Sequence, residues 1–236
     1  LGFDAIEIIN GNVLGQQFHR RMPHDIEGLF IPEEIVDELP EGGAILCIDD
    51  KVAFAGVVDD WFNMLNQGHT FAGIGNSDSH HTRDIGFPRS YVRVEDDQPL
   101  HVTSQNVVDG IRDHDITISN GPFIEASING QSIGSKIIAT DGAVELSIKV
   151  QTANWVGLSK LTVYANGAVL DIILAPLAKE ERIFETTRSY EISKDTWFVI
   201  LAEGDNSLFP VIPPVDVPPF YLSDAFATLA GAIGFG

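Results

Sequence analysis

Cysteine is nearly absent from this chain. Cys47 is the single example in 236 residues, so no internal disulfide can form. Basic residues are also scarce, at 14 Lys and Arg against 34 Asp and Glu, for a formal charge of −20. Such a surface repels nucleic-acid phosphates and anionic lipid, so neither is an expected partner. Long apolar runs are missing too. No stretch approaches the length that spans a bilayer, and no signal peptide is visible, so no membrane insertion is expected. The opening Leu1-Gly2-Phe3-Asp4 runs straight into an apolar strand, which reads as a cut through a longer protein. A soluble protein is expected, cytoplasmic or exported, with a lean towards a bacterial source.

What is present is a chain able to bury a core, with 44% of its residues hydrophobic. Ala5 to Ile9 (AIEII) is short and β-branched, as in a buried parallel strand. Residues 12 to 50 look irregular, apart from a short helix from Pro32 with acids in its first turn. A second helix is expected from Val58 to Gln67, with Trp61, Met64 and Leu65 on one face and Gly68 closing it. Thr70 to Gly75 (TFAGIG) reads as another buried strand, and Tyr91 to Val94 as a third apolar stretch. Ser104 can cap a helix carrying Val107, Val108 and Ile111, and Ile116 to Ser119 is a further strand. Strand and helix in alternation is the grammar of a parallel α/β sheet or barrel.

The pattern changes near Asn120-Gly121-Pro122. Val144, Leu146, Ile148 and Val150 alternate with Glu145, Ser147, Lys149 and Gln151, the period of a half-buried antiparallel strand. Asn129-Gly130 and Asn166-Gly167 are hairpin signals. Short strands at this spacing suggest a β-sandwich. A two-domain chain is therefore expected: an α/β portion over 1–120, an all-β sandwich over 121–205, and a tail over 206–236. The tail holds five prolines between residues 209 and 219, and it is expected to pack on the body.

The strongest local signal is Gly75-Asn76-Ser77-Asp78-Ser79-His80. In an extended segment Asp78 and His80 project together, while Ser77 and Ser79 turn away. A carboxylate beside an imidazole suits Zn, Mn or Fe, and the ends of strands are where α/β barrels place their chemistry. The same triplet also occurs as plain exposed loop. Glu7 sits in an apolar strand, where a buried carboxylate needs a metal, a cation or a hydrogen-bond partner. It is either a second ligand-shell or substrate residue, or a structural carboxylate. Asn10 ends that strand and can face the same mouth. His81 either orients a ligand or is exposed. Arg89 either neutralises an anionic substrate or makes a surface salt bridge. Cys47, in ILCIDD, reads as a buried thiol, and no G-x-S-x-G elbow or phosphate-cradling glycine loop is present. His19, His24, His69, His101 and His114 have no ligand-like spacing.

Five stretches taken in order carry a family resemblance: FDAIEIING at Phe3–Gly11, DWFNMLNQG at Asp60–Gly68, GNSDSHH at Gly75–His81, GFPRSYV at Gly86–Val92 and SNGPFI at Ser119–Ile124. Together they resemble the PHP (polymerase and histidinol phosphatase) superfamily, in the branch that includes carbaryl hydrolases and predicted metal-dependent phosphoesterases. The resemblance runs over roughly residues 1 to 175. It implies the C-terminal part of a distorted, TIM-like (β/α)7 PHP barrel, followed by the sandwich. It also implies two or three divalent transition ions (Zn, Mn or Fe) in the complete protein, with Asp78 and His80 as catalytic and metal-ligating residues matching the family's late D-x-H. The early H-x-H and the middle His and Glu ligands of that family have no match here. The implied function is a fragment of a metal-dependent hydrolase, a phosphoesterase or a carboxyl or carbamate esterase, acting on a small-molecule ester through metal-activated water. The alternative is a binding or interaction module on a degenerate, non-catalytic scaffold, with Trp155 or Trp197 meeting a glycan or a partner.

Overall fold

A computed structural model describes residues 2–10, 20–21, 45–48, 51–54, 57–79, 86–96, 98–175, 177, 181–204 and 206, with backbone alone at 20–21, 45–48, 51–54, 57 and 59–60. The expected helix from Pro32, the Pro-rich tail beyond residue 206, and His80 and His81 lie outside these residues.

The best-formed part begins at β8 (Phe123–Ile128), which pairs with β9 (Gln131–Ser132) across a turn where Asn129 and Gly130 both take positive φ, at 50° and 78°. Asn and Gly tolerate that left-handed geometry, and it matches the twist of the flanking strands. β8 also pairs with β10 (Ala143–Gln151), and β10 with β13 (Ile183–Glu191), giving one antiparallel sheet in the order β13-β10-β8-β9. A second antiparallel sheet has β11 (Lys160–Ala165) between β12 (Ala168–Leu174) and β14 (Phe198–Glu203), and Asn166-Gly167 forms its tight turn. Alternation along β10 buries Val144, Leu146, Ile148 and Val150. The last three meet Leu161, Val163 and Ile173 of the facing sheet in one core cluster.

Tyr190 of β13 ties the two sheets at their edge, its hydroxyl donating to Asp171 Oδ2 of β12 at 2.9 Å. Burial first, and then this bond and the neighbouring negative charge, push its phenol pKa up to about 12. The unfolded chain releases that proton near pH 10. The stability contributed by the neutral phenol is therefore complete below pH ~10 and declines as pH rises to ~12. Urea-melt midpoints followed from pH ~9 to ~12 should fall more steeply for the wild type than for Tyr190→Phe. Parallel slopes would show that Tyr190 does not titrate differently in the fold.

Among the described residues the N-terminal part forms no barrel. Among the described residues the single parallel pair is β1 (Ala5–Asn10) with β5 (Ala72–Asn76). β6 (Arg89–Val92) and β7 (Ile116–Ser119) pair with each other antiparallel, although α2 (Ser104–Arg112) lies between them in sequence. The backbone of β2 (Arg20–Arg21), β3 (Ile45–Ile48) and β4 (Lys51–Phe54) makes a small antiparallel sheet where irregular chain was expected. With fourteen strands and two helices among the described residues, the molecule is dominated by sheet, and the expected (β/α)7, TIM-like barrel portion is overturned. A parallel barrel needs a helical crossover returning each strand to the same direction. The β6-α2-β7 segment has the helix but brings its strands back antiparallel.

Helix α1 (Val57–Asn66) joins the two parts. Gly68, at φ 84°, ends it: Gly68 N donates to Leu65 O and His69 N to Met64 O, both at 3.0 Å, the paired bonds of a Schellman end. Its buried Val58 and Phe62 cluster with Ile8 of β1, with Tyr164 and Val199 of the second sandwich sheet, and with Trp197, which precedes β14. Phe62 lies 4.9 Å from the Trp197 ring, and Trp197 Nε1 donates to Asn66 Oδ1 at 2.9 Å, so Trp197 serves packing. The cap of α2 is Thr103, one residue before the expected Ser104. Its hydroxyl accepts from Asn106 N while Asn106 Oδ1 accepts from Thr103 N, completing a reciprocal cap. Among the described residues no helix is long and apolar enough to cross a membrane.

Candidate functional site

The polar end of the parallel pair is assembled by an irregularity that no periodicity reveals. In register, Glu7 faces Ile74 and Asn10 faces Asn76, but a shift between Glu7 and Ile9 inserts one extra residue in β1. In a regular strand Glu7 and Asn10, three apart, would point to opposite faces. The bulge restores them to one side. Asn76 Nδ2 donates to Glu7 Oε1 at 2.8 Å and Asn10 Nδ2 to Glu7 Oε2 at 3.3 Å. Glu7 is exposed rather than buried, and its carboxylate is held by two amides instead of a cation. This corrects the expectation of a buried strand carboxylate. Asn76 was not singled out in sequence, although it opens the motif that contains Asp78.

Asp78 is exposed and takes a left-handed φ of 46°. Aspartate is one of the few residues that visits this region readily. The extended course assumed for the Asp78–His80 pair is therefore broken at Asp78. The turn brings the hydroxyls of Ser77 and Ser79 within 2.7 Å of each other. Since His80 lies outside the described residues, the structure places one member of the expected ligand pair.

β6 is fastened to β5 by a side chain: Ser90 Oγ accepts from Gly75 N at 2.9 Å and donates to Gly75 O at 3.0 Å. That places Arg89 beside the end of β5 and, through the β6-β7 ladder, opposite Ser119. The Arg89 guanidinium carbon lies 4.8 Å from the Phe87 ring centre and 5.6 Å from that of Tyr91. None of the ion pairs among the described residues includes Arg89. The remaining described histidines have other occupations. His69 stacks on Phe71, His114 Nε2 lies 2.6 Å from Thr70 O, and His101 Nδ1 lies 2.6 Å from Asp96 Oδ2. A backbone bond from Gln98, and then the His101 contact, hold the Asp96 carboxyl below its usual range.

Among the described residues no group of three or more His, Cys, Asp or Glu could hold a metal ion. One exposed carboxylate cannot retain a divalent cation without partners. The expected label of a metal-binding TIM-like hydrolase or phosphoesterase is thus not carried by these residues, which supply Asp78 and no closed ligand set. Comparison of the chain with family models, with curated proteins and with solved structures finds no match in any of the three.

Proposed function

We propose that this chain is part of an ester hydrolase whose reaction centre lies at the carboxyl end of the β1-β5 pair, with Asp78 and His80 as its chemical groups. The observation that supports it most is the Glu7-Asn76-Asn10 network, which secures the strand end two residues before Asp78. Open α/β sheets bind ligands at the carboxyl ends of their parallel strands, and this is the one parallel pair among the described residues. The resemblance of GNSDSHH to the late PHP motif points to the same two residues. Glu7 acts here as a positioning residue, since both of its oxygens already accept amide donors. Asp78 and His80 would hold a Zn, Mn or Fe ion together with further ligands, and such an ion would lower the pKa of a bound water for attack on the ester. The substrate class is a small-molecule ester, with phosphate, carboxyl and carbamate esters as its members.

The test is the metal content and esterase activity of the full-length protein with Asp78→Ala and His80→Ala. Each variant should lose bound transition metal and at least ~100-fold in activity, since even residues that merely orient a ligand cost about 10- to 100-fold. A protein purified metal-free at every stage, or one whose Asp78→Ala variant is as active as the wild type, would sink this reading. The second reading, a binding scaffold without catalysis, is favoured by the exposed Leu170, Ile172 and Leu174 of edge strand β12. Under it the same variants change neither metal content nor activity.

A further inference from the structure

We infer that β12 is a self-association edge, where a second copy of this chain pairs antiparallel with Ile172 and Leu174 and continues the β14-β11-β12 sheet across a two-fold axis. The contact is independent of the chemistry proposed at Asp78 and His80. β12 is an outer strand of its sheet, with no strand beyond it among the described residues. Its hydrogen bonding decides which residues are open. Ala175 N donates to Ser159 O at 2.8 Å, one step past the facing pair Lys160 and Leu174. In an antiparallel ladder that bond turns the main-chain groups of Ile173 and Ala175 towards β11, and those of Ile172 and Leu174 away from it. The same two residues are 56% and 74% exposed, while Ile173 between them is buried in the core. One edge thus offers main-chain donors and acceptors together with two apolar side chains on the outer face.

Edges are ordinarily blunted by charge, by proline, by shortness or by a bulge. β13, at the edge of the other sheet, exposes Glu185, Arg188 and Glu191, and β9 is two residues long. β12 (AVLDIIL) holds no proline, and Asp171 is its charged residue. Its register with β11 shifts between Val163 and Tyr164, which leaves Leu170 without a facing residue and spares Asp171 to Leu174. That irregularity selects the register of a symmetric pair. Ile172 set against its own copy would bring Leu174 against the bulged Leu170. Ile172 set against Leu174 of the second copy uses regular chain, and main-chain bonds are exchanged on both sides of an axis at Ile173. Charge makes a second copy the fitting occupant. With 34 acidic residues against 14 basic, two copies repel each other over most of their surface. On β12 that repulsion is answered. Asp171 accepts from the Tyr190 hydroxyl, has Arg188 3.8 Å away, and in this register faces Ala175 of the copy. Lys160, beside Leu174, is paired with Glu203 at 3.1 Å.

A seven-residue edge is small beside the roughly 20–30 residues a side of a standard interface, so the dimer should be weak, with a Kd on the order of 10–100 µM. Sedimentation velocity on the 236-residue chain, from ~1 to ~500 µM, should show a reversible equilibrium of monomer and dimer. Ile172→Lys sets a charge against Leu174 of the copy, twice over, and should weaken the dimer at least ~10-fold. Its urea midpoint when dilute should match the wild type, because the side chain is exposed. Leu100→Lys, at an apolar residue 96% exposed elsewhere on the surface, should leave the dimer intact. Amide hydrogen exchange at Ile172 and Leu174 should slow as concentration rises, while Ile173 stays protected throughout. A chain that remains monomeric over this range overturns the inference. If the amides of Ile172 and Leu174 are then already slow when dilute, another segment of the same chain covers the edge. Dimerisation that survives Ile172→Lys, or that leaves the two amides fast, puts the contact elsewhere and overturns it as well. Asp78→Ala should dimerise as the wild type does, so failure here and failure of the hydrolase reading are seen separately.

Discussion

Leu161→Ala is expected to lower the unfolding free energy by about 2–5 kcal/mol. Leu161 is 0% exposed and sits in β11, the middle strand of its sheet, opposite Ile173 of β12 and Ala202 of β14. Both neighbouring strands are hydrogen-bonded to β11, and the facing sheet packs Leu146 and Val150 into the same cluster. Backbone ladders on two sides prevent the strand from sinking into the space left by the missing atoms, so the cavity penalty adds to the lost transfer energy. Urea denaturation should show a lower midpoint with little change in slope. Leu174→Ala provides the contrast, because Leu174 is 74% exposed at the far end of β12. Its effect should stay within about 0.5 kcal/mol. Equal losses at the two positions would mean that the two sheets do not share the core described.

Gly75→Ala should be disproportionately costly for the addition of one methyl group. A Cβ built at Gly75 would lie 2.4 Å from Ile118 Cγ2, closer than real atoms approach. That methyl is attached directly to a β-branched carbon whose rotamer is restricted, so it cannot swing aside. Either β7 withdraws or β5 shifts, at a cost of about 1–3 kcal/mol. Because β5 leads into Asn76 and Asp78 and is fastened to Ser90 through the backbone of Gly75 itself, the same shift loosens the candidate site. The double variant Gly75→Ala/Ile118→Ala tests the cause. If the clash is responsible, it should lose less stability than the sum of the two single variants, since each removes the other's problem. Strict additivity would place the cost of Gly75→Ala elsewhere.

Several elements are legible from local pattern. The period of two from Val144 to Val150 states which side chains of β10 point inward, because side-chain direction in a strand follows from the backbone alone. Asn129-Gly130 and Asn166-Gly167 declare their turns through the left-handed φ that few other residues accept. Gly68 closes α1 for the same reason. The candidate site was legible only as residue types. Glu7, Asn10, Asp78 and Arg89 stood out by chemistry, whereas Asn76 became visible through its hydrogen bond to Glu7.

Strand direction and partnership were settled by the assembled chain. The alternation of apolar segments from Ala5 to Ser119 is equally compatible with a parallel barrel and with the arrangement found, in which β6 and β7 run antiparallel and, among the described residues, β1 pairs with β5 alone. Pairing joins residues far apart in sequence, and its choice depends on which surfaces can be buried together, as at Ile118 against Gly75 and Phe62 against Trp197. The inserted residue in β1 and the left-handed Asp78 belong to the same class of outcome. Each changes the face on which a side chain emerges; the bulge appears only in the pairing of β1 with β5, and the turn at Asp78 breaks a course that periodicity takes as extended. Periodicity is a property of consecutive residues, and it carries inward or outward but not towards which neighbour.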